Sequence, residues 1–437
     1  MKKYFILSVA ALACWCTLSA QNRLTLSLDD CRKMALEYNE DVLKADNDLR
    51  KAQLDKAIAF TAYLPGFEAS ATGTYLYPDM DMMGMELQMR GMYMAGITLS
   101  QPLYVGGKIR AANKLSRIGL DCAAEMNRKT RMQVISDADN AYWTYIAVAR
   151  KVRMLESYTA QMEALYRQVE VSVTAQIATE NDLLRISAKR SEITYQLQKA
   201  RNGADLCRMA LCSMIGEELD TEIVPTDTVI VVTPPEYTDE SLELRPEMRL
   251  LEKQVEAEQQ QIRMVRSDIL PTVALMAGYL YYGNVKLNTV VSDGMGNYFP
   301  YTQKFDDGFA TAMISVSVPL FHWGEGLKKI KKARLNLENA RLSLRQNSRL
   351  MSIEVRQALR NMTDSYMMIE TADLGFKQAE ENLKGMQLRY EASMCTLTDL
   401  LDAQSQWQQA RSNQIEAQTQ YKIYETDYLR ATGRLEY

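Results

Sequence analysis

Apolar residues recur along most of this chain with a period near 3.6, and at four places the period drops to two. Over 28–63 a narrow stripe built on Met34, Val42, Leu43, Leu49 and Leu54 predicts one helix. Ser27 stands as its N-cap, with Asp29 and Asp30 in the first turn, where the helix dipole favours acids. Leu64-Pro65-Gly66 ends it, because proline cannot continue the hydrogen-bond ladder. The same period predicts further helices over 108–173, 181–215, 240–269, 327–390 and 397–432. Strict alternation, as in Phe67, Ala69 and Ala71 against Glu68, Ser70 and Thr72, predicts strands over 67–77, 93–103, 272–282 and 309–320.

The pattern is duplicated. Residues 389–404 read Arg-Tyr-Glu-Ala-Ser-Met-Cys-Thr-Leu-Thr-Asp-Leu-Leu-Asp-Ala-Gln, and Thr179-Glu180-Asn181-Asp182-Leu183-Leu184 is a fainter copy. Asp399 minus Asp182 is 217, and the same interval separates Pro319 from Pro102, Gly324 from Gly107 and Gly433 from Gly216. A constant offset over so much chain marks an internal repeat. It divides the chain into repeats 21–220 and 236–437 joined by an extended segment, 221–235. Each repeat carries one long helix of roughly 100 Å, at 1.5 Å per residue, and two of about half that length. Two short helices end to end match one long one, so the arithmetic predicts a rod or tube about 100 Å tall whose hairpins turn at the Asp-Leu-Leu tips.

Each strand has about the 10 residues that a tilted strand needs to cross a bilayer, and tyrosines gather at the strand ends. Four strands cannot close a barrel, and open edges are not tolerated in lipid. They are either soluble sheet strands or shares of a barrel pooled from several chains. The second hairpin is longer than the first, and 283–307 reads as an inserted surface loop. The first loop is rich in methionine, from Met80 to Met94. Thioethers suit soft ions such as Cu(I), but flexible apolar filling explains them as well.

Composition narrows the function. Lys2, Lys3 and the apolar run 5–12 predict a signal peptide over 1–20, with Cys14 offering a competing lipoprotein signal. No later apolar run is long enough for a transmembrane helix. The net charge of −4 lacks the basic excess of a nucleic-acid binder. Past residue 20 the cysteines are Cys31, Cys122, Cys207, Cys212 and Cys395, an odd set without framework spacing. His322 is the one histidine, in a turn context, and no nucleophile elbow, phosphate loop or metal cluster accompanies it. The expectation is a protein that is not an enzyme and holds no cofactor or metal. Lys108 and Arg110 open one long helix and Lys328, Lys329, Lys331 and Lys332 the other. Cations there oppose the helix dipole, so contact with inner-leaflet phosphates and simple solvation both stand as readings.

The order of these units, the strand ends Gln101-Pro102-Leu103-Tyr104-Val105-Gly106-Gly107 and Val318-Pro319-Leu320-Phe321-His322-Trp323-Gly324, the Leu244-Arg245-Pro246-Glu247 opening and the 389–404 tip resemble the TolC-like outer-membrane efflux proteins. The resemblance covers essentially the whole mature chain. It implies a mainly α fold of long antiparallel hairpins forming a tunnel, plus four transmembrane strands per chain that make a twelve-stranded barrel in a homotrimer. It also implies an outer-membrane export duct of a tripartite efflux or type I secretion system. Such a duct works with a periplasmic adaptor, an inner-membrane transporter and outer-membrane lipid, and with no nucleic acid. Asp399 and Asp402 would face the pore, with Asp399 alternatively an N-cap. Asp182 and Tyr390 match positions that lock the closed periplasmic entrance. A basic residue of that lock is replaced by Cys395. The adaptor-docking tips, usually glycine-bearing, correspond to Ala175-Gln176-Ile177 and Ala392-Ser393-Met394. A periplasmic coiled-coil scaffold or adaptor without a pore is the alternative, and an adhesin a further rival.

Overall fold

The computed structural model describes residues 23–82, 85–227, 230–234, 239–292, 294–295 and 297–435. The leader predicted over 1–20, with Cys14, lies outside the described residues. In chain order the elements are β1 (Arg23–Leu26), α1 (Leu28–Tyr38), α2 (Glu40–Thr61), β2 (Gly66–Tyr75), β3 (Met80–Met82), β4 (Met85–Gln88), β5 (Arg90–Val105), α3 (Lys108–Thr174), α4 (Glu180–Ile215), β6 (Glu222–Pro225), α5 (Pro246–Ser267), β7 (Thr272–Ser292), β8 (Tyr298–Ser317), α6 (Glu325–Glu391) and α7 (Leu397–Ala431). The chain divides into two compact units. One takes in the stretch to Asp48, Glu125–Arg249 and Arg345–Tyr437, and the other Leu49–Ala124 and Leu250–Leu344.

The 217-residue interval is written into the backbone. Helices α3 and α6 are 67 residues each, and their first residues, 108 and 325, differ by 217. Backbone with positive φ falls at Gly106 and Trp323, Gly107 and Gly324, Gln176 and Ser393, Gly216 and Gly433, four pairs at that same spacing. Each pair sits where a helix begins or ends. At Gly216 and Gly433 packing also forbids a side chain. A Cβ would lie 2.5 Å from Tyr38 Cβ in the first and 2.5 Å from the Leu244 carbonyl in the second.

The helix predicted over 28–63 is two helices. Asn39 takes extended φ/ψ of −67° and 127°, which ends α1. Its side-chain oxygen then accepts the Asp41 N–H at 2.9 Å, giving α2 the cap it needs. Ser27 caps α1 in a reciprocal capping box with Asp30. Helix α5 starts at Pro246, later than the 240 expected, since proline fits the first helical position.

In the first unit, β1 and β6 pair in parallel, and the core beside them joins Leu26, Ala138, Tyr142, Leu211 and Ile215. Tyr142 donates to Asp227 at 2.7 Å, which satisfies its buried hydroxyl. Asp139 is fully buried. Its carboxylate accepts from Arg32 at 2.7 and 2.6 Å and from Thr426 at 2.7 Å, so α1, α3 and α7 share one polar knot.

In the second unit, β2, β5, β7 and β8 form an antiparallel sheet in that order. The strands run 66–75, 90–105, 272–292 and 298–317 where 67–77, 93–103, 272–282 and 309–320 were predicted. Two expected loops are therefore largely strand. The methionine-rich stretch supplies β3, β4 and the start of β5, with β4 pairing β7. The stretch 283–307 continues the second hairpin, because Val285, Leu287, Thr289 and Val291 keep the alternation and pair across to β8. Cross-strand registers put Phe67, Ile97, Tyr279 and Ala310 on one face and Ser70, Gly96, Gly278 and Thr311 on the other. Over 67–75, 93–99, 273–281 and 308–316 the first face is apolar, and Phe67, Ile97, Tyr279, Ile314 and Val316 are exposed on it. Among the described residues, β2 pairs only with β5 and β8 only with β7, so both outer edges of this sheet are open.

Candidate functional site: the helical tips

Both tips lie in the first unit and are built alike. At the end of α3, Ala175, Gln176 and Ile177 donate backbone N–H groups to Val171, Val173 and Ser172, at 2.9, 2.9 and 2.8 Å. At the end of α6, Ala392, Ser393 and Met394 do the same to Leu388, Tyr390 and Arg389, at 3.0, 3.0 and 2.7 Å. The reversal puts Gln176 at φ 61° and Ser393 at φ 58°, in the left-handed region where glycine is usual. The next side chains project from the turns. Ile177 is 81% exposed and Met394 78%.

Each return helix opens on a capping box. Thr179 and Thr396 are the N-caps of α4 and α7. Asp399 is the third residue of its helix, not the N-cap or the point of restart. Its carboxylate accepts the Thr396 N–H at 3.0 Å and hydroxyl at 2.7 Å, while the Thr396 Oγ1 accepts the Asp399 N–H at 3.2 Å. Those hydrogen bonds hold the Asp399 carboxyl below the usual carboxylate range. Asp182 repeats the arrangement on Thr179. Asp402 is exposed one turn beyond Asp399, so the two share a helix face.

Tyr390 is half-buried against the core beneath the tips, a cluster that includes Leu383, Leu397 and Leu400. Burial, and after it Asp182 and Cys395, push its phenol above the ordinary value. The Asp182 carboxylate is itself held by Thr179. Cys395 turns inward, its thiol donating to the Met386 carbonyl at 3.6 Å. The two tips are joined by Arg185, whose guanidinium donates to the Thr398 hydroxyl. Farther along, Gln408 donates to Gln196 at 2.7 Å. Sequence reasoning missed Arg185. The repeat interval supplied a signal, since adding 217 to 185 gives 402: arginine in the first tip stands where the second has Asp402.

The cationic residues belong to the second unit. Lys108, Arg110, Lys328, Lys329, Lys331 and Lys332 are all exposed. Lys108 pairs with Asp268 at 3.0 Å and Lys329 with Glu325 at 2.7 Å. Beside them the strand-to-helix junction exposes Leu320, Phe321 and Trp323, with the last two rings edge-to-face at 5.0 Å. His322 lies in this turn, its carbonyl accepting the Glu325 N–H at 2.9 Å. Among the described residues no helix is long and apolar enough to cross a membrane, and no group of three or more His, Cys, Asp or Glu could hold a metal ion.

Paired capped hairpins on 67-residue helices, with a sheet apolar on one face and open at both edges, are the build of a long-helix outer-membrane protein. The family model described as outer membrane efflux protein matches residues 31–216 and 238–434, and the chain belongs to that family. It is similar to the outer membrane protein TolC of Escherichia coli, with 23% identity over 94% of this chain and 84% of that one. It is also similar to the probable outer membrane lipoprotein SilC of Salmonella typhimurium, with 20% identity over 71% of this chain and 66% of SilC. Among solved structures, the CmeC outer membrane channel of Campylobacter jejuni superposes with a TM-score of 0.77 at 18% identity, over 93% of this chain and 85% of CmeC. The protein is an outer-membrane protein.

Proposed function

We propose that three copies of this chain form a passive export duct in the outer membrane, serving an efflux or secretion system whose energy comes from elsewhere. The observation that carries this is the sheet of the second unit, with an apolar, exposed face and two unpaired edges. Lipid offers no partner for edge N–H and C=O groups, so such a sheet is stable there only when copies close it into a barrel. Four strands from each of three chains make twelve. The exposed Phe321 and Trp323 and the neighbouring lysines fit the periplasmic boundary, where aromatic rings sit among headgroups and cations meet phosphates.

In this reading the helical tips form the periplasmic entrance. Asp399 and Asp402 stack two carboxylate rings around the axis, which favours cations over anions. Arg185 and Thr398 take the place of the lock that Cys395 lacks, with Tyr390 and Asp182 packed behind them. The exposed turns 175–177 and 392–394, tipped by Ile177 and Met394, meet the helical hairpin of a periplasmic adaptor, which in turn holds an inner-membrane transporter. The equatorial segment 221–235 separates the two repeats.

The test is purification from outer membranes. Heat-modifiable trimers on a gel and conductance in planar bilayers are expected, and a monomer released without detergent would instead favour the pore-free scaffold. Replacing Asp399 and Asp402 with alanine is expected to raise anion passage, and unchanged selectivity would remove them from the pore.

A further inference from the structure

The second hairpin changes character at one point. Thr272–Ser292 and Tyr298–Ser317 pair without a break up to Tyr282 and Asp307, and pairing resumes at Val285 and Phe305. The extra residue is on β7, where Asn284 takes φ 59°. The bulge is pinned from both sides. Asn284 N–H donates to Asp306 at 2.6 Å, and its amide donates to the Arg90 and Gly91 carbonyls at 3.0 Å each. Below it, 272–282 and 307–317 have the roughly 9–11 residues that cross a bilayer. Above it, eight further pairs run to Ser292 and Tyr298, adding about 25 Å of ladder.

The two faces change character at this bulge. β8 carries no extra residue, so its even and odd positions keep their faces throughout. Its even series is Ile314, Ala312 and Ala310 on the lipid-facing side below, then Lys304, Thr302, Pro300 and Tyr298 above, opposite Lys286, Asn288, Val290 and Ser292. Its odd series is Ser317, Ser315, Met313, Thr311, Phe309 and Asp307 below, then Phe305, Gln303, Tyr301 and Phe299 above, opposite Val285, Leu287, Thr289 and Val291. The outward face thus turns polar just above the bulge, at Lys286, Asn288, Thr302 and Lys304, and the inward face, mixed below it, becomes mostly apolar. Tyr301 and Phe299 are exposed in the single chain.

We infer that, in the trimer proposed above and resting on that reading, this apolar face packs against its equivalents on the other two copies over the extracellular mouth. The three extensions form a hydrophobic constriction there. The face is continuous along β8 with the wall that surrounds the axis, and what stands across that axis is the same face of another copy. Apolar constrictions of this kind close channels by excluding water, so the duct has an outer closure separate from the periplasmic tips.

Single replacements in the full chain, in outer membranes under mild oxidation, test the contact. Tyr301→Cys is expected to link copies into dimers on a non-reducing gel, and Thr302→Cys, one residue away on the other face, to leave them unlinked. Purified trimers carrying Phe299→Ser with Tyr301→Ser are expected to conduct several-fold more in planar bilayers than the unaltered protein. Unlinked Tyr301→Cys, equal linking of both variants, or unchanged conductance would overturn the closure while the unboiled sample still runs as a trimer. A cysteine-attached fluorophore at 301 quenched by a lipid-borne quencher would also overturn it, by putting the face in the membrane. An unaltered protein that runs as a monomer would bring down the trimer reading itself, and this closure with it.

Discussion

The Asp139 knot sets a stability test whose size follows from its geometry. Asp139 has no exposed surface, the Arg32 side chain is 20% exposed, and three hydrogen bonds of 2.6–2.7 Å converge on one carboxylate. Asp139→Ala removes all three and leaves a largely buried guanidinium beside Asp29, an acid at 3.8 Å that is 70% exposed. Breaking a buried pair in this way costs about 3–5 kcal/mol. Residual exposure of Arg32 and the presence of Asp29 put the expected cost near the lower end, about 3 kcal/mol. That corresponds to roughly a 150-fold rise in local opening. Thr426→Val loses one bond to a charged acceptor, about 1.5 kcal/mol. Arg32→Met with Asp139→Leu deletes the charges together and is expected to recover most of the loss. A chain of two units need not unfold in one step, so the assay is hydrogen–deuterium exchange of the α1 amides, Leu28–Tyr38, in detergent micelles. Exchange in Asp139→Ala within fivefold of the parent would refute the argument, since the knot would then contribute no more than a surface pair.

Arg185→Ala unties the tips and is expected to raise the open probability of the purified channel a few-fold, because an exposed charged contact is worth about 1 kcal/mol; single-channel recording with Gln408→Ala as a companion checks it. The Asp399 carboxyl has a lowered pKa, so its contribution to the α7 cap is complete above the unfolded carboxylate value and is lost as pH falls through the folded one. Amide exchange at Leu397–Leu400, corrected for intrinsic rate, should therefore rise in acid in the parent and show no such rise in Asp399→Asn. Burial pushes the Cys31 thiol up to about 12, so maleimide at pH 8 should leave it unmodified in the folded protein and label it after denaturation. Gly433→Ala meets both a φ of 75° and the Leu244 carbonyl, and a loss of at least 2 kcal/mol is expected in the same exchange assay at α7, against near-neutrality for Gly375→Ala, where a Cβ meets open space.

The helices were legible because periodicity and caps agree. Ser27, Thr179 and Thr396 each precede an acid three residues on, and each proves a capping box. Asn39 escaped because its neighbours keep the helical stripe, and it is the extended backbone at this residue, with the side-chain bond to Asp41, that shows the chain has left the helix. In and beside the stretch 283–307, Gly283, Asn284, Asp306, Asp307 and Gly308 read as loop punctuation, which masked the β-branched alternation between them. Those residues do mark a break, a bulge instead of a loop. The tip contact of Arg185 with Thr398 was out of reach of local pattern, since it joins side chains 213 positions apart.

The tips raise a last physical point, because neither carries the glycine that a left-handed turn usually takes. Holding Gln176 and Ser393 at positive φ costs about 1 kcal/mol each. At least three backbone hydrogen bonds precede each turn's exit and a reciprocal threonine–aspartate box follows it, so the conformation is fixed from both sides. The strain is then tolerated, and the ordinary residue also limits the freedom that glycine would add to the open chain. A turn over-determined in this way has little entropy left to lose when a partner binds, so the exposed Ile177 and Met394 are presented in fixed positions. The same logic makes the turn dependent on its boxes. Loosening Thr179 or Thr396 would release the strain stored at Gln176 or Ser393 and the side chains beyond it together.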